Sequence, residues 1–392
     1  MDDKLKMKIM VVDDEVDLKP MILQKFRKQV REGVYDFVFA HNGLEALSKL
    51  IEQPEIRLIL SDINMPEMDG LTLLTKLKEL KNPMLKTVIV SAYGDMENIR
   101  TAMNRGAFDF LTKPISFDDL EITINKTIDE INMIWQSVQE HDQLISIRQD
   151  LQTAREIQLA ILPKTFPPFP GRTEFSIFAS MIAAKEVGGD FFDFFIIDKE
   201  RLGFVIGDVS GKGVTAAIFM AVSRTLIRAT GIKGISSNEC MNYVNRLLCS
   251  ESVASMFVTV FYGILNTATG EVDYVNAGHN PPYLISSENV TRLEMTGGAI
   301  LGCLEDFDYK SKQVRLNPGD MLFLFTDGVT EAINMQEEMY GEQRLITFLQ
   351  SHKSCEIDEV VKAANRSVTD FSAEMAQSDD ITILAIKYNG KD

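Results

Sequence analysis

Hydrophobic periodicity changes twice along this chain, and each change restricts what the next stretch can fold into. Over residues 1–120, short apolar runs rich in β-branched and aromatic residues (KIMVV, DFVFA, LILS, TVIVS and FDFL) alternate with helical patterns near 17–30, 43–53, 69–80 and 95–104. Strands that are apolar at consecutive positions have no solvent face, so they belong to a parallel sheet covered by helices on both sides. The expected first domain, residues 1–120, is therefore α/β, a five-stranded parallel doubly wound sheet. Ligands in such sheets sit beyond the carboxyl ends of the strands. Asp13, Asp14, Asp62, Ser91 and Lys113 all fall there.

From about 116 to 162 the pattern becomes one long helix. Ile124, Ile128, Ile131, Trp135 and Val138 recur at four- and three-residue steps, the spacing of a coiled-coil seam. Asp142 and Gln149 break it, and a second stripe of Leu144, Ile147, Leu151 and Ala154 takes over at an offset, as a stutter does. Either one face of this helix packs on its own domain, or it pairs with a twin. The stripe outlasts either domain's edge, so a homodimer through a helical linker is the expectation. Pro163 and the run PKTFPPFPG end the helix in a Pro-rich joint.

Residues 163–392 form a third pattern, with many strands in hairpin order (FSIFASMIAA, FFDFFIID, GFVIGDVS, MFVTVFYGILN, VDYVNAG, PPYLIS, MLFLFTDGV, ITILAIKY). Helical stretches near 213–229, 237–250, 342–350 and 356–375 interrupt them. That order predicts an α+β sandwich. A second set of acidic residues, Asp190, Asp208, Asp327, Asp379 and Asp380, lies at or just after these apolar runs. Strand ends hold side chains rigidly, and hard cations such as Mg²⁺ and Mn²⁺ prefer oxygen ligands.

Composition narrows the partners. With 392 residues and a formal net charge of −17, the chain lacks the clustered Lys and Arg that nucleic-acid binding needs. An anionic substrate would need local cations. Four scattered cysteines without a CxxC pair and four histidines without paired spacing argue against zinc or disulfides. No run is long enough for a membrane span and the N-terminus has no signal-peptide core, so a cytoplasmic location is expected.

The order and context of five residues in 1–120 resemble a response-regulator receiver domain, the CheY-like fold: Asp13 and Asp14 after the first strand, Asp62 in SDINMPEMDG, Ser91 in VIVSA and Lys113 in FLTKP. The resemblance implies phosphorylation of Asp62 by a sensor histidine kinase. It also implies Mg²⁺ held by Asp14, Asp62 and the Asn64 carbonyl, with Asp13 through water. Lys113 and Ser91 would contact phosphoryl oxygens, and Phe110 holds the position of the switch aromatic.

The motifs AKEVGGDFFD, GDVSGKGVTAA, NAGHNPPYL, LFTDGVTEA and SDDITIL, in this order, resemble the metal-dependent (PPM-type) Ser/Thr protein phosphatases in their bacterial SpoIIE-like, RsbU-like branch. The residues suit a site with two Mn²⁺ or Mg²⁺ ions, which can activate a water and clamp an in-line displacement without a side-chain nucleophile. Asp208 would bridge, with the Val209 carbonyl beside it. Asp327 and one aspartate of SDDIT would complete the set, and Asp190 would lie in or near it. Strand alternation lets one of the two adjacent aspartates face the site, and the family pattern selects Asp379 over Asp380. No arginine in the motifs is assigned to the substrate phosphate. His279 reads as a turn residue, and Phe191, Phe192, Phe194 and Phe195 as core.

Together the resemblances imply a two-component output phosphatase. Phosphorylation of Asp62 would control dephosphorylation of phosphoserine or phosphothreonine on a partner, an anti-sigma factor antagonist of the STAS fold, and the expected sign is activation. The linker segment TAREIQLAILP resembles the segment preceding this phosphatase branch and is the candidate switch. A competing class is a non-catalytic adaptor whose phosphatase-like domain only binds a regulatory protein; its mark would be lost metal aspartates.

Overall fold

The computed structural model describes residues 6–92, 94–251, 256–373 and 375–390. The chain divides into two compact units between Ser146 and Ile147. In chain order the first holds β1 (Met7–Val12), α1 (Leu18–Lys25), α2 (Arg27–Arg31), β2 (Tyr35–Ala40), α3 (Gly43–Glu52), β3 (Ile56–Asp62), α4 (Gly70–Glu79), β4 (Lys86–Ala92), α5 (Met96–Arg105) and β5 (Asp109–Lys113). Its strands form one sheet in the order β2-β1-β3-β4-β5, and every pair is parallel. Successive residues of one strand point to opposite faces. Ile9 and Val11 accordingly pack with Ile22 and Phe26, while Met10 and Val12 pack with Ala46 and Leu73.

The long helix α6 (Phe117–Ile161) begins inside this unit. Leu120, Ile124 and Ile131 are buried in the cluster that holds Ile9 and Val11, with Ile128 and Trp135 packed against it. This corrects the expected seam. As far as Trp135 the first stripe is the cover of the first unit's own sheet, with Ile124 at 0% and Ile131 at 1% exposure, whereas Val138 is 42% exposed. Periodicity reports which face of a helix is apolar, but not what covers it. The second stripe differs: Leu144 and Ile147 are exposed. No helix among the described residues is long and apolar enough to cross a membrane.

The second unit continues with β6 (Phe175–Ile182), β7 (Phe191–Ile196), β8 (Arg201–Val209), α7 (Val214–Gly231), α8 (Ser237–Glu251), β9 (Val258–Asn266), β10 (Glu271–Ala277), β11 (Tyr283–Ile285), β12 (Val290–Arg292), β13 (Lys312–Arg315), β14 (Met321–Phe325), α9 (Asp327–Thr330), α10 (Gly341–Ser351), α11 (Ile357–Ser372) and β15 (Ile381–Tyr388). The strands make two sheets, β13-β10-β9-β8-β7 and β12-β11-β14-β15-β6. Their named pairings are antiparallel. Leu322 and Leu324 of β14 join a core shared with β7, β8 and β9. Phe323 and Phe325, on the opposite face, pack with α10 and α11. The result is the α+β sandwich, with Phe191, Phe192, Phe194 and Phe195 buried in its core. Periodicity did not mark β12 and β13, because VTR and KQVR carry almost no apolar signal. The apolar run MLFLFTDGV outlasts its strand: β14 stops at Phe325, and Asp327 opens the single turn α9.

Candidate functional site

In the first unit, strand register assembles the acidic cluster. Val12 lies beside Ser61, Asp62 beside Val90, and Ser91 beside Thr112, so the ends of β1, β3, β4 and β5 meet at one edge. Ligand oxygens from Asp13, Asp14 and Asp62, one from each, lie within 4.8 Å of one another. Asp13 and Asp62 are buried, whereas Asp14 is exposed. Lys113 Nζ lies 2.9 Å from Asp62 Oδ2, 3.1 Å from Asp13 Oδ2 and 2.9 Å from Glu15 Oε1. Burial by itself would lower the Lys113 pKa, but Asp62, Glu15 and Asp13 together raise it. Burial raises the Asp13 carboxyl, against the Glu15 N–H and Lys113, which lower it. Ser91 is fully buried, with Oγ 3.4 Å from Asp95 Oδ2. Asn64 is exposed in the turn after β3, and Phe110 is 37% exposed on β5. Glu15 is the member of this site that sequence reasoning missed; it follows the DD pair directly.

In the second unit both sheets contribute. Phe191 pairs with Gly207 across β7 and β8, which puts Asp190 opposite Asp208. Phe325 pairs with Ile383, which brings Asp327 to the start of β15 beside Asp379 and Asp380. Two close backbone approaches depend on missing side chains. A Cβ on Gly328 would lie 1.9 Å from the Asp380 carbonyl oxygen, and one on Gly189 would lie 2.9 Å from the Val209 carbonyl oxygen.

The two aspartates of SDDIT part company here. Asp380 is buried, and its carboxylate accepts from the N–H groups of Ala184 (2.8 Å) and Gly189 (2.7 Å). It ties down the loop that carries Asp190. Asp379 is half-buried and pairs with Lys212, Nζ to Oδ2 2.9 Å. The Thr326 hydroxyl donates to Asp190 Oδ2 at 2.7 Å and orients it. Neither Thr326 nor Lys212 was singled out from the sequence, although each lies within a recognised motif. His279 is a turn residue: its N–H donates to Asn276 Oδ1 and its carbonyl accepts from Asn276 Nδ2, both at 2.8 Å. Burial drops its imidazole to about 4, so the ring is neutral.

The electrostatics of this cluster are those of acids crowded together. Burial, then Asp208 and Asp380, push the Asp190 carboxyl well above its ordinary value. Burial, then Asp327, raise Asp208 to about 7, partly offset by a hydrogen bond with Asp190. Asp327 is raised by burial, Glu331 and Asp379. Buried carboxylates with a backbone carbonyl beside them form an all-oxygen donor set, the kind that hard divalent cations take. The residues present fit such ions.

Two family models match: the response regulator receiver domain over residues 9–125, and stage II sporulation protein E (SpoIIE) over residues 198–389. Phosphoserine phosphatase RsbU of Bacillus subtilis (strain 168) is 30% identical over 251 residues, covering 64% of this chain and 74% of RsbU. The chain belongs to the RsbU and SpoIIE phosphatase family. Its second unit is a metal-dependent Ser/Thr phosphatase domain of the PPM type, and its first is a receiver domain. Protein IcfG of Synechocystis is 32% identical over 272 residues, 62% of this chain, but the chain spans only 42% of IcfG's length. The RsbU and RsbW domains of a Mycobacterium tuberculosis protein superpose with a TM-score of 0.50 at 28% identity, covering 56% of this chain and 61% of that one. The SiaA-PP2C domain of Pseudomonas aeruginosa shares the fold, with a TM-score of 0.57 at 22% identity over 63% of this chain and 98% of that one.

Proposed function

We propose that this protein is a response regulator whose output is the hydrolysis of phosphoserine or phosphothreonine on a partner protein, switched by phosphorylation of Asp62. The observation that carries the reading is the pair of carboxylate clusters in one chain, Asp13, Asp14 and Asp62 in the receiver and Asp190, Asp208, Asp327 and Asp379 in the phosphatase unit. None of the aspartates expected from the motifs is lost from the sequence, which counts against a non-catalytic adaptor. A sensor histidine kinase is the proposed phosphoryl source. A phosphorylated STAS-type anti-sigma factor antagonist is the proposed substrate; that RsbU is a phosphoserine phosphatase supports a phosphoserine protein as its class.

In the receiver, Asp62 would attack the phosphoryl group, with Asp14, Asp62 itself and the Asn64 carbonyl holding Mg²⁺ and Asp13 reaching it through water. Lys113 already contacts Asp62 and would neutralise a phosphoryl oxygen. Ser91 would donate to another, with Phe110 reporting the change. In the phosphatase unit we assign Asp208, the Val209 carbonyl, Asp190, Asp327 and Asp379 as the groups that would hold two Mn²⁺ or Mg²⁺ ions. Bound there, the ions would activate a water and neutralise the phosphoryl oxygens. Asp380 and Thr326 hold the ligands in place: Asp380 fastens the 184–190 loop, and Thr326 fixes Asp190. Asp379 is favoured as the ligand because both oxygens of the buried Asp380 carboxylate are held by the N–H groups of Ala184 and Gly189, whereas the half-buried Asp379 holds the Asp380 N–H on Oδ1 and only the exchangeable Lys212 ammonium on Oδ2. If the protein dimerises through α6, the contact falls on the exposed stripe at Leu144 and Ile147 rather than on Ile124 and Ile131.

The test is Mn²⁺-dependent dephosphorylation of a phosphoserine protein, with and without acetyl phosphate. Acetyl phosphate should change turnover in the wild type and not in Asp62→Ala, which should also take up no phosphoryl group. Equal rates with and without acetyl phosphate, on a receiver shown to be labelled, would refute the coupling.

A further inference from the structure

Lys212 lies in the loop between β8 and α7, in the same GDVSGKG motif as Asp208. Its Nζ is 2.9 Å from Asp379 Oδ2 and also donates to the Ser378 carbonyl. Both side chains stay partly open, 41% exposed for Lys212 and 35% for Asp379. An ion pair this open contributes little to folding, so stability does not account for its place in the motif.

Two features give it another role. First, among the described residues Lys212 is the cation that pairs with the acidic cluster. The nearby arginines Arg224 and Arg228 are both committed to the buried Asp193, at 2.9 and 2.8 Å. A phosphate monoester approaching an array of carboxylates needs a positive side chain at the mouth; Lys212 is in contact with Asp379 there, whereas the exposed Lys185, in the loop that Asp380 fastens, makes no ion pair with the cluster among the described residues. Second, it sits on a carboxylate assigned above as a metal ligand. An ammonium and a divalent cation then contend for the same oxygen. A four-carbon stem lets the ammonium leave Asp379 and turn to the solvent side, where it can meet a phosphoryl oxygen as a compact point charge.

We infer that Lys212 grips the substrate's phosphoryl group, and that it rests on Asp379 until a divalent cation takes that carboxylate. The inference rests on the phosphatase reading of the site and supplies the phosphate-binding cation that the motifs left unassigned. No covalent step is involved: one ion pair is exchanged for another.

Isothermal titration calorimetry on the full chain separates this from a structural role. Mn²⁺ is titrated first, then inorganic phosphate into the Mn²⁺-loaded protein, for wild type, Lys212→Gln and Lys212→Arg. The receiver's own metal site should be unaffected by these changes and serves as the internal reference. Lys212→Gln should bind Mn²⁺ at the phosphatase site more tightly, because a competitor is gone. It should bind phosphate about ten- to a hundredfold more weakly, the effect of losing one charged hydrogen bond. Lys212→Arg should keep most of the phosphate affinity. Mn²⁺ affinity that is unchanged or weaker in Lys212→Gln overturns the exchange, and unchanged phosphate affinity overturns the grip. If both shifts occur yet the wild type hydrolyses no phosphoserine protein, the phosphatase reading fails and the Lys212 assignment stands.

Discussion

In the receiver, Asp62 and Asp13 share a lysine of their own chain, at 2.9 and 3.1 Å from Lys113 Nζ. In the phosphatase unit, Asp190 and Asp208 face each other and, beyond them, Asp380 and Asp327. Lys212 reaches only the rim, at Asp379. The same kind of acidic cluster is thus balanced from within in one unit and left unbalanced in the other. The contrast fits the two tasks proposed above. A receiver must hold its fold through cycles of phosphorylation and release, so a built-in counter-charge serves it. A hydrolytic site that recruits cations keeps its carboxylates close together at a cost in repulsion that bound ions relieve.

The largest effect that would test this contrast is catalytic. Asp208→Asn and Asp327→Asn each remove ligand charge from the unbalanced cluster, and each should lower Mn²⁺-dependent hydrolysis of p-nitrophenyl phosphate by several orders of magnitude. Near-wild-type rates in either variant, or wild-type activity that survives EDTA, would break the metal-site side of the comparison.

A smaller effect probes the receiver. Lys113→Gln removes its internal cation and should make that cluster behave like the other one. The metal-free receiver should lose about 1–3 kcal/mol of stability in urea unfolding, since the pair is only partly buried. Mg²⁺ should restore more stability to this variant than to the wild type. A variant as stable as wild type without metal would show that Lys113 does not balance the site.

The smallest effect is a pH dependence. The Asp208 carboxyl is raised from 3.8 to about 7 in the folded protein. Between those values the folded state keeps a proton that the unfolded chain has given up. Stability of the metal-free phosphatase unit should therefore fall as pH rises through that window, and the contribution is gone above about 7. Metal binding displaces the same proton, so the rise in Tm on adding Mn²⁺ should grow from about pH 5 to about pH 7.5, by a few degrees. Asp208→Asn should flatten this trend. A Tm gain independent of pH in the wild type would contradict the raised carboxyl.

Much of this is legible in the sequence. Apolar runs without a polar face identified a parallel sheet, because both its faces are covered. The end of each run located Asp13, Asp62, Ser91 and Lys113, because a strand's end is where backbone order meets solvent. In the second unit the GD, TDG and SDDIT motifs marked strand ends in the same way. Residues that act by supporting others were not legible. Thr326 reads as one more strand residue until its hydroxyl is found on Asp190. Glu15 and Lys212 read as solvated charges until their partners, 98 and 167 positions away in sequence, are seen beside them.

The clearest division is in α6 and in the SDDIT pair. Sequence by itself determined that residues 117–161 form a helix with an apolar stripe, because helical periodicity depends on neighbours three and four positions apart. Only the tertiary structure decided that Ile124 and Ile131 meet the receiver's sheet rather than a twin helix, because any apolar surface of the right shape can cover a stripe. Likewise, alternation determined that one of Asp379 and Asp380 turns inward. Which of them has its carboxylate tied to a distant loop depended on where the N–H groups of Ala184 and Gly189 lie, nearly two hundred residues away.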